Sequence, residues 1–181
     1  MNTLRTYFWQ SVRSYLAFTV LLGFMYPLLI MAIGQTAFPK KAQGSFLEAN
    51  GKIVGSSLIA QKFESPRYFW PRPSAVDYNP LASGGSNLGP TSKALKEAVD
   101  ARKQKLAPDA PEELLFASGS GLDPEIDKAS ALYQISRVAH ARGVPEETIR
   151  NKVTAHLEAR DLGFLGEERI NVLKLNLSLD L

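Results

Sequence analysis

Between Arg13 and Lys40 the chain runs for 26 residues without a charge, and the apolar heart of that run, Leu16 to Ile33 (LAFTVLLGFMYPLLIMAI), is 18 residues long. At 1.5 Å per helical residue, 18 residues reach about 27 Å, close to the roughly 30 Å of a bilayer's hydrocarbon core. A lone segment in lipid must satisfy every backbone N–H and C=O internally, so a helix is the economical reading. The pattern therefore predicts a short tail over 1–13, a transmembrane helix over 14–35 with Pro27 kinking it, and a soluble domain over 40–181. Tyr7, Trp9 and Tyr15 suit one interface, and Arg5, Arg13, Lys40 and Lys41 place charge at both ends. A cleaved signal peptide, with Ala32-Ile33-Gly34 as a small-x-small site, is the rival reading. It is disfavoured because 18 apolar residues exceed the h-region of a signal and two lysines close behind resemble a stop. Charge hardly settles orientation, since Arg5, Arg13 and the α-amino group face Lys40 and Lys41 across the span.

From Lys40 onward 19 basic residues meet 18 acidic ones, so the overall charge of +3 comes mostly from Arg5 and Arg13. No Lys/Arg stripe is evident, which argues against nucleic acid as a partner. The chain has no cysteine, which excludes disulfides, thiolate metal sites and cysteine nucleophiles.

The soluble part reads as mixed α and β without an internal repeat, giving the fold class of a single N-terminal transmembrane helix plus a mixed α+β soluble domain. Asn50-Gly51 between two β-prone runs, Ser45 to Gln61, predicts a hairpin. From Phe63 to Pro90, five prolines, three glycines and five aromatics in 28 residues exclude regular elements. A loop of that length in a compact domain is more often ordered and functional than a linker. Further on, the spacing predicts a helix over Thr91–Leu106 capped by Thr91 or Ser92, and a short buried strand over 114–117. A helix follows to Arg142, capped by Asp123 with Pro124 in its first turn and striped by Ala131, Ile135, Val138 and Ala139. A last helix carries Ile149, Val153 and Leu157 and closes at Gly163. Ile170 to Leu181 (INVLKLNLSLDL) alternates apolar with polar, the period of a half-buried strand.

The chemistry is sparse. Ser83-Gly84-Gly85-Ser86-Asn87 and Ser118-Gly119-Ser120-Gly121 could turn backbone N–H groups toward an anion, or could be structural turns. Neither is a P-loop, and Asp123 would repel a phosphate beside the second, so they stand as a possible nucleotide or structural glycine motif. His140 and His156 form neither HxxxH nor HExxH, no serine lies in GxSxG, and the paired carboxylates Glu112-Glu113, Glu146-Glu147 and Glu167-Glu168 point apart. No catalytic and no metal residue is assigned. Tyr68, Phe69, Trp70, Arg72 and Tyr78 are aromatic and arginine types that anchor interfaces, and are expected to bind a partner. Two classes stay open: a membrane-anchored accessory or binding subunit, and a membrane-anchored extracytoplasmic enzyme with an unrecognised site.

Several of these segments also resemble a known family. Gly55-Ser56-Ser57-Leu58-Ile59-Ala60-Gln61, Phe69-Trp70-Pro71-Arg72-Pro73-Ser74-Ala75 and Tyr78-Asn79-Pro80 are followed by Ala82-Ser83-Gly84-Gly85-Ser86-Asn87-Leu88-Gly89-Pro90. Together with Ala117-Ser118-Gly119-Ser120-Gly121-Leu122-Asp123-Pro124, Gln134 and Arg137 to Arg142, they are similar to KdpC, the C subunits of bacterial high-affinity potassium-transporting P-type ATPases. Asp127-Lys128 stands where the family is expected to carry Ser-Pro. The resemblance implies a non-catalytic subunit beside a potassium-conducting A subunit and an ATP-hydrolysing B subunit, and this chain has no DKTGT phosphorylation motif. It implies a single-pass protein of the bacterial inner membrane, with the N-terminus cytoplasmic and the C-terminal domain periplasmic. It also implies no covalently bound cofactor, with ATP and potassium handled by the complex. The family is described as raising the catalytic subunit's affinity for ATP, and its glycine motif is compared with the ABC-transporter signature, whose final Gln is Ser86 here. A domain on the outer face, where ATP is scarce, would act on ATP affinity only through the assembled complex.

Overall fold

The computed structural model describes residues 2–107 and 109–180. Met1 and Leu181, the outermost positions of the expected tail and of the expected C-terminal strand, lie outside the described residues. The chain divides into two compact units, one ending at Ser45 and one beginning at Phe46.

The first unit is a nearly continuous helix. It consists of α1 (Asn2–Val20), a π turn (Leu21–Met25), α2 (Tyr26–Ala37) and a short α3 (Pro39–Ala42). Thr3–Ala37 is 35 residues long and fully exposed along its apolar window, as befits a helix whose solvent is not water. At about 52 Å it exceeds what a roughly 30 Å core requires. The uncharged stretch alone is long enough for such a core, and the turns bearing Arg5 and Arg13 are additional to it. The expected break at Pro27 takes the form of the π turn immediately before it, where Tyr26 N–H donates to Leu21 O. Proline lacks a donor and crowds the carbonyl four residues back, and a widened turn relieves both. The soluble unit starts at Phe46 rather than at position 40 because Pro39–Ala42 stays helical, with Ala42 N–H donating to Phe38 O and Ser45 N–H to Lys40 O.

In the second unit β1 (Phe46–Ala49) pairs antiparallel with β2 (Lys52–Ser56) through Asn50 and Gly51, whose φ of 51° and 71° make the expected tight turn. A three-stranded antiparallel sheet, ordered β3-β5-β4, joins β3 (Glu125–Asp127), β4 (Leu157–Glu158) and β5 (Arg169–Asn171). Around it stand α4 (Lys93–Leu106), the short α5 (Glu112–Leu115), α6 (Lys128–Arg142), α7 (Glu146–Ala155) and α8 (Val172–Leu179). The main core gathers Ile135 and Val138 of α6, Ile149 and Val153 of α7, Leu175 of α8, Ile126 and Ile170 of the sheet, and Phe69 of the long loop. A smaller cluster of Val99, Ala110 and Leu115 lies under α4. The fold class is the expected one: one N-terminal helix long and apolar enough to span a bilayer, then a mixed α+β domain.

Four local expectations are corrected. Residues 112–115 form a helical turn instead of the strand over 114–117, because Glu112 and Glu113 favour a helix start and bury Leu114 and Leu115 on one side. Asp123 does not cap the long helix. Its Oδ1 accepts from Glu125 N–H in a local turn, β3 intervenes, and Asp127 caps α6 by accepting from Ser130 N–H at 2.7 Å. The helix opened at Glu146 closes at Ala155 rather than Gly163, and Leu157 joins the sheet. Most consequential, the alternating C-terminal segment is α8, not a strand. Asn171 caps it by accepting from Lys174 N–H, and Leu173, Leu175 and Asn176 are all buried, so Asn176 belongs to the inner face despite its polarity.

Candidate functional site

The long loop from Lys62 to Pro90 is ordered because other elements hold its backbone. A peptide that is buried outside a sheet needs partners for both its N–H and its C=O. Two side-chain amides supply them. Asn176 of α8 accepts from Phe69 N–H at 2.8 Å and donates to Phe69 O at 2.9 Å. Gln134 of α6 accepts from Trp70 N–H at 2.8 Å and donates to Trp70 O at 3.1 Å. Each amide thus imitates one rung of a β-ladder, and consecutive residues of the loop dock on two different helices.

Two arginines of α6 close the same stretch. Arg137 donates to Pro66 O at 2.8 Å and Tyr68 O at 3.0 Å, while its guanidinium lies 3.7 Å from the centre of the Trp70 ring. Burial pulls Arg137 down to about 10, partly offset by Tyr133. Arg142 donates to Arg67 O and Leu179 O, both at 2.7 Å, and pairs with Asp180 at 2.9 Å. Asp180 in turn accepts from the Tyr68 hydroxyl at 2.7 Å. Although burial opposes it, these Tyr68 and Arg142 contacts hold the Asp180 carboxyl below its ordinary range.

Further along, Arg72 pairs with Asp123 at 3.1 Å and Glu113 at 3.8 Å, and its carbonyl accepts from the Tyr78 hydroxyl at 2.8 Å. Tyr78 is held with φ of 59°, a conformation that costs a bulky residue free energy, by Ser74 Oγ accepting from its N–H at 2.9 Å. Burial, helped by the charge of Asp77, pushes its phenol up to about 12.

The two glycine motifs, 30-odd residues apart in sequence, are brought together. Gly84 N–H and the Ser83 hydroxyl both donate to Ser120 O, at 2.8 and 3.0 Å. Gly85 and Gly121 are where side chains would not fit. A Cβ on Gly85 would stand 3.0 Å from Gly119 O, and one on Gly121, whose φ is +68°, would meet Val76 Cγ2 at 2.7 Å and Gly84 O at 2.8 Å. Four of the backbone donors in and beside the two motifs, Gly84 among them, are spent internally. Ser118 N–H donates to Pro73 O, Gly121 N–H to Ser118 O and Leu122 N–H to Ser120 Oγ. These bonds tie the two turns to each other and to Pro73. Gly119, Ser120, Ser86 and Asn87 are exposed, whereas Ser118 is buried.

Of the expected partner-binding residues, Tyr68, Trp70, Arg72 and Tyr78 are half-buried and gathered on one loop. Phe69 is corrected. Its ring has no exposure and packs in the main core, so it anchors the loop to its own domain and cannot offer a side chain to a partner. Of the clamps, Gln134, Arg137 and Arg142 entered the sequence reading only through the family resemblance, which gave them no contact to make. Asn176 had no signal beyond being a polar residue on an otherwise apolar helix face. His140 is exposed and His156 is half-buried with Nδ1 2.9 Å from Lys152 O. Among the described residues no group of three or more His, Cys, Asp or Glu is placed to hold a metal ion.

Fold and site define a protein built from one lipid-compatible helix and a mixed α+β domain whose polar side chains mostly lock a long loop in place. A family model described as "K+-transporting ATPase, c chain" matches residues 8–181, spanning both units. Curated relatives named potassium-transporting ATPase KdpC subunit are similar throughout. The one from Sorangium cellulosum is 53% identical over 175 residues, covering 91% of this chain and 92% of its own. That from Herpetosiphon aurantiacus is 49% identical over 187 aligned positions, covering 98% and 97%. That from Geobacter sulfurreducens is 50% identical over 173, covering 90% and 91%. The chain belongs to the KdpC family of K+-transporting ATPase subunits.

Proposed function

We propose that this chain is the non-catalytic accessory subunit of a high-affinity, ATP-driven potassium import complex. It supports assembly of a potassium-conducting A subunit with an ATP-hydrolysing B subunit and raises the affinity of the latter for ATP. The observation that carries the reading is the family match from residue 8 to residue 181, which takes in the apolar helix as well as the domain. The helix lies in the bacterial inner membrane with the N-terminus cytoplasmic and the domain periplasmic. ATP and potassium are handled by the complex. The internal use of the Gly84, Ser118 and Gly121 N–H groups supports an effect on ATP affinity that passes through assembly. The part-exposed faces of Tyr68, Trp70, Arg72 and Tyr78 contribute to the partner surface; the arginines of α6 hold the first two, Asp123 holds Arg72, and Arg72 O holds Tyr78, so little side-chain entropy is lost on docking.

The test compares membranes containing the A and B subunits with and without this chain. K+-stimulated ATPase activity is expected to require the chain, and the purified chain alone is expected to hydrolyse nothing. Full K+-stimulated activity in its absence, or turnover by the isolated chain, overturns the reading.

A further inference from the structure

The segment from Arg160 to Gly166 is not absorbed by the site above. Asp161 and Leu165 exchange both backbone hydrogen bonds, each at 2.9 Å, and Gly163 N–H donates to Arg160 O, so the loop is closed on itself. Its tip is apolar and outside the core: Leu162 is 83% exposed, Phe164 69% and Leu165 49%. Leu162 also holds a φ of 54°, a conformation that a leucine rarely adopts. Packing within the domain does not account for a strained leucine so far in the open, and such strain concentrates where a ligand or partner is met. The surroundings select the partner. An adjoining cavity of about 710 Å³ is lined by five carboxylates, among them Glu112, Glu167 and Glu168, against only Lys128 and Arg160. Both bases are already paired, Lys128 with Glu168 at 3.2 Å and Arg160 with Glu167. An apolar knob beside an acidic face is repelled by an anionic lipid surface and matches a protein socket with a basic rim.

We infer that the Leu162–Leu165 tip is a docking knob that inserts into an apolar, basic-rimmed socket on another chain of the same K+-transporting ATPase. The inference rests on the subunit reading given above and concerns a segment other than the aromatic loop, though Glu113 of the acidic face also pairs with Arg72 of that loop at 3.8 Å. Because the knob is preorganised, its contacts are made without ordering a loop on binding.

The test uses the full chain, tagged and expressed with the other subunits, extracted from membranes in mild detergent. Leu162→Gly is the informative variant. Glycine relieves the left-handed backbone and little packing is lost, so the melting temperature is expected to be unchanged or higher, while retention of the other subunits falls about tenfold. Phe164→Ala is expected to lower retention similarly. A photo-crosslinking residue at position 164 is expected to form an adduct with another subunit, and one at Glu147 is not. Retention equal to wild type in both variants, a melting temperature that drops with Leu162→Gly while retention holds, or adducts confined to lipid or to a second copy of this chain each overturn the knob. If the unaltered chain itself retains no other subunit, the subunit reading fails and the knob fails with it.

Discussion

At the residue scale, the loop that carries most of the family-like sequence is held by a few polar side chains that direct hydrogen bonds at its backbone. Asn176 shows the economics of a buried amide: it is 2% exposed, and both of its polar atoms face Phe69. Removing it strands a buried N–H and a buried C=O, each costing about 1–3 kcal/mol when unsatisfied. Asn176→Ala is therefore expected to destabilise the domain by about 2–4 kcal/mol in urea denaturation. Lys174→Ala, on the exposed side of the same helix, should stay within about 0.5 kcal/mol. A loss under about 1 kcal/mol for Asn176→Ala would mean that water replaces the amide. The same residue explains a misreading. Counted as polar, Asn171, Lys174, Asn176 and Ser178 make an outward row and the segment alternates like a strand. Two of those residues are buried with partners, and once they are assigned inward the apolar and amide positions follow a helix.

At the element scale, signals tied to neighbouring residues were legible: Asn50-Gly51 for the hairpin, Ser92 for the start of α4, and Gly143 for the end of α6. Contacts between distant segments were not. Each glycine motif was visible, but nothing in either said that Gly84 would bond to Ser120 or that Gly121 would sit against Val76. That pairing separates two kinds of glycine. Gly143 has φ of +70° with open space around its missing Cβ, whereas Gly121 has φ of +68° and neighbours within 2.8 Å. Gly143→Ala should cost about 1 kcal/mol, the backbone term alone, and Gly121→Ala about 2–4 kcal/mol, because overpacking adds to it. Gly85→Ala, without a positive φ but 3.0 Å from Gly119 O, isolates the contact and should fall between them. Thermal denaturation of the three variants checks the order, and equal losses at 121 and 143 would remove the close approach as a cause.

At the scale of the whole molecule, the anchor was the most legible feature, because bilayer thickness and the absence of water act on composition directly and need no tertiary contact. Its direction is less determined. Arg5 and Arg13 lie on one side of the uncharged run and Lys40 and Lys41 on the other, so the charge bias that orients most single spans is small here. A periplasmic domain then depends on a short tail staying inside while the long segment crosses, and a small change in charge should be felt strongly. In intact spheroplasts, added trypsin is expected to reach exposed sites such as Lys103 and Lys105 in α4, leaving a membrane-embedded N-terminal fragment. Replacing Arg5 and Arg13 by Gln removes the charges N-terminal to the span and should place a larger share of the chains with the domain protected until lysis. Replacing Lys40 and Lys41 by Gln should instead make the periplasmic orientation more uniform. Protection of the unaltered domain in intact spheroplasts, with digestion only after lysis, would put it on the cytoplasmic side. The domain would then meet ATP directly, and an effect on nucleotide affinity would no longer have to pass through assembly.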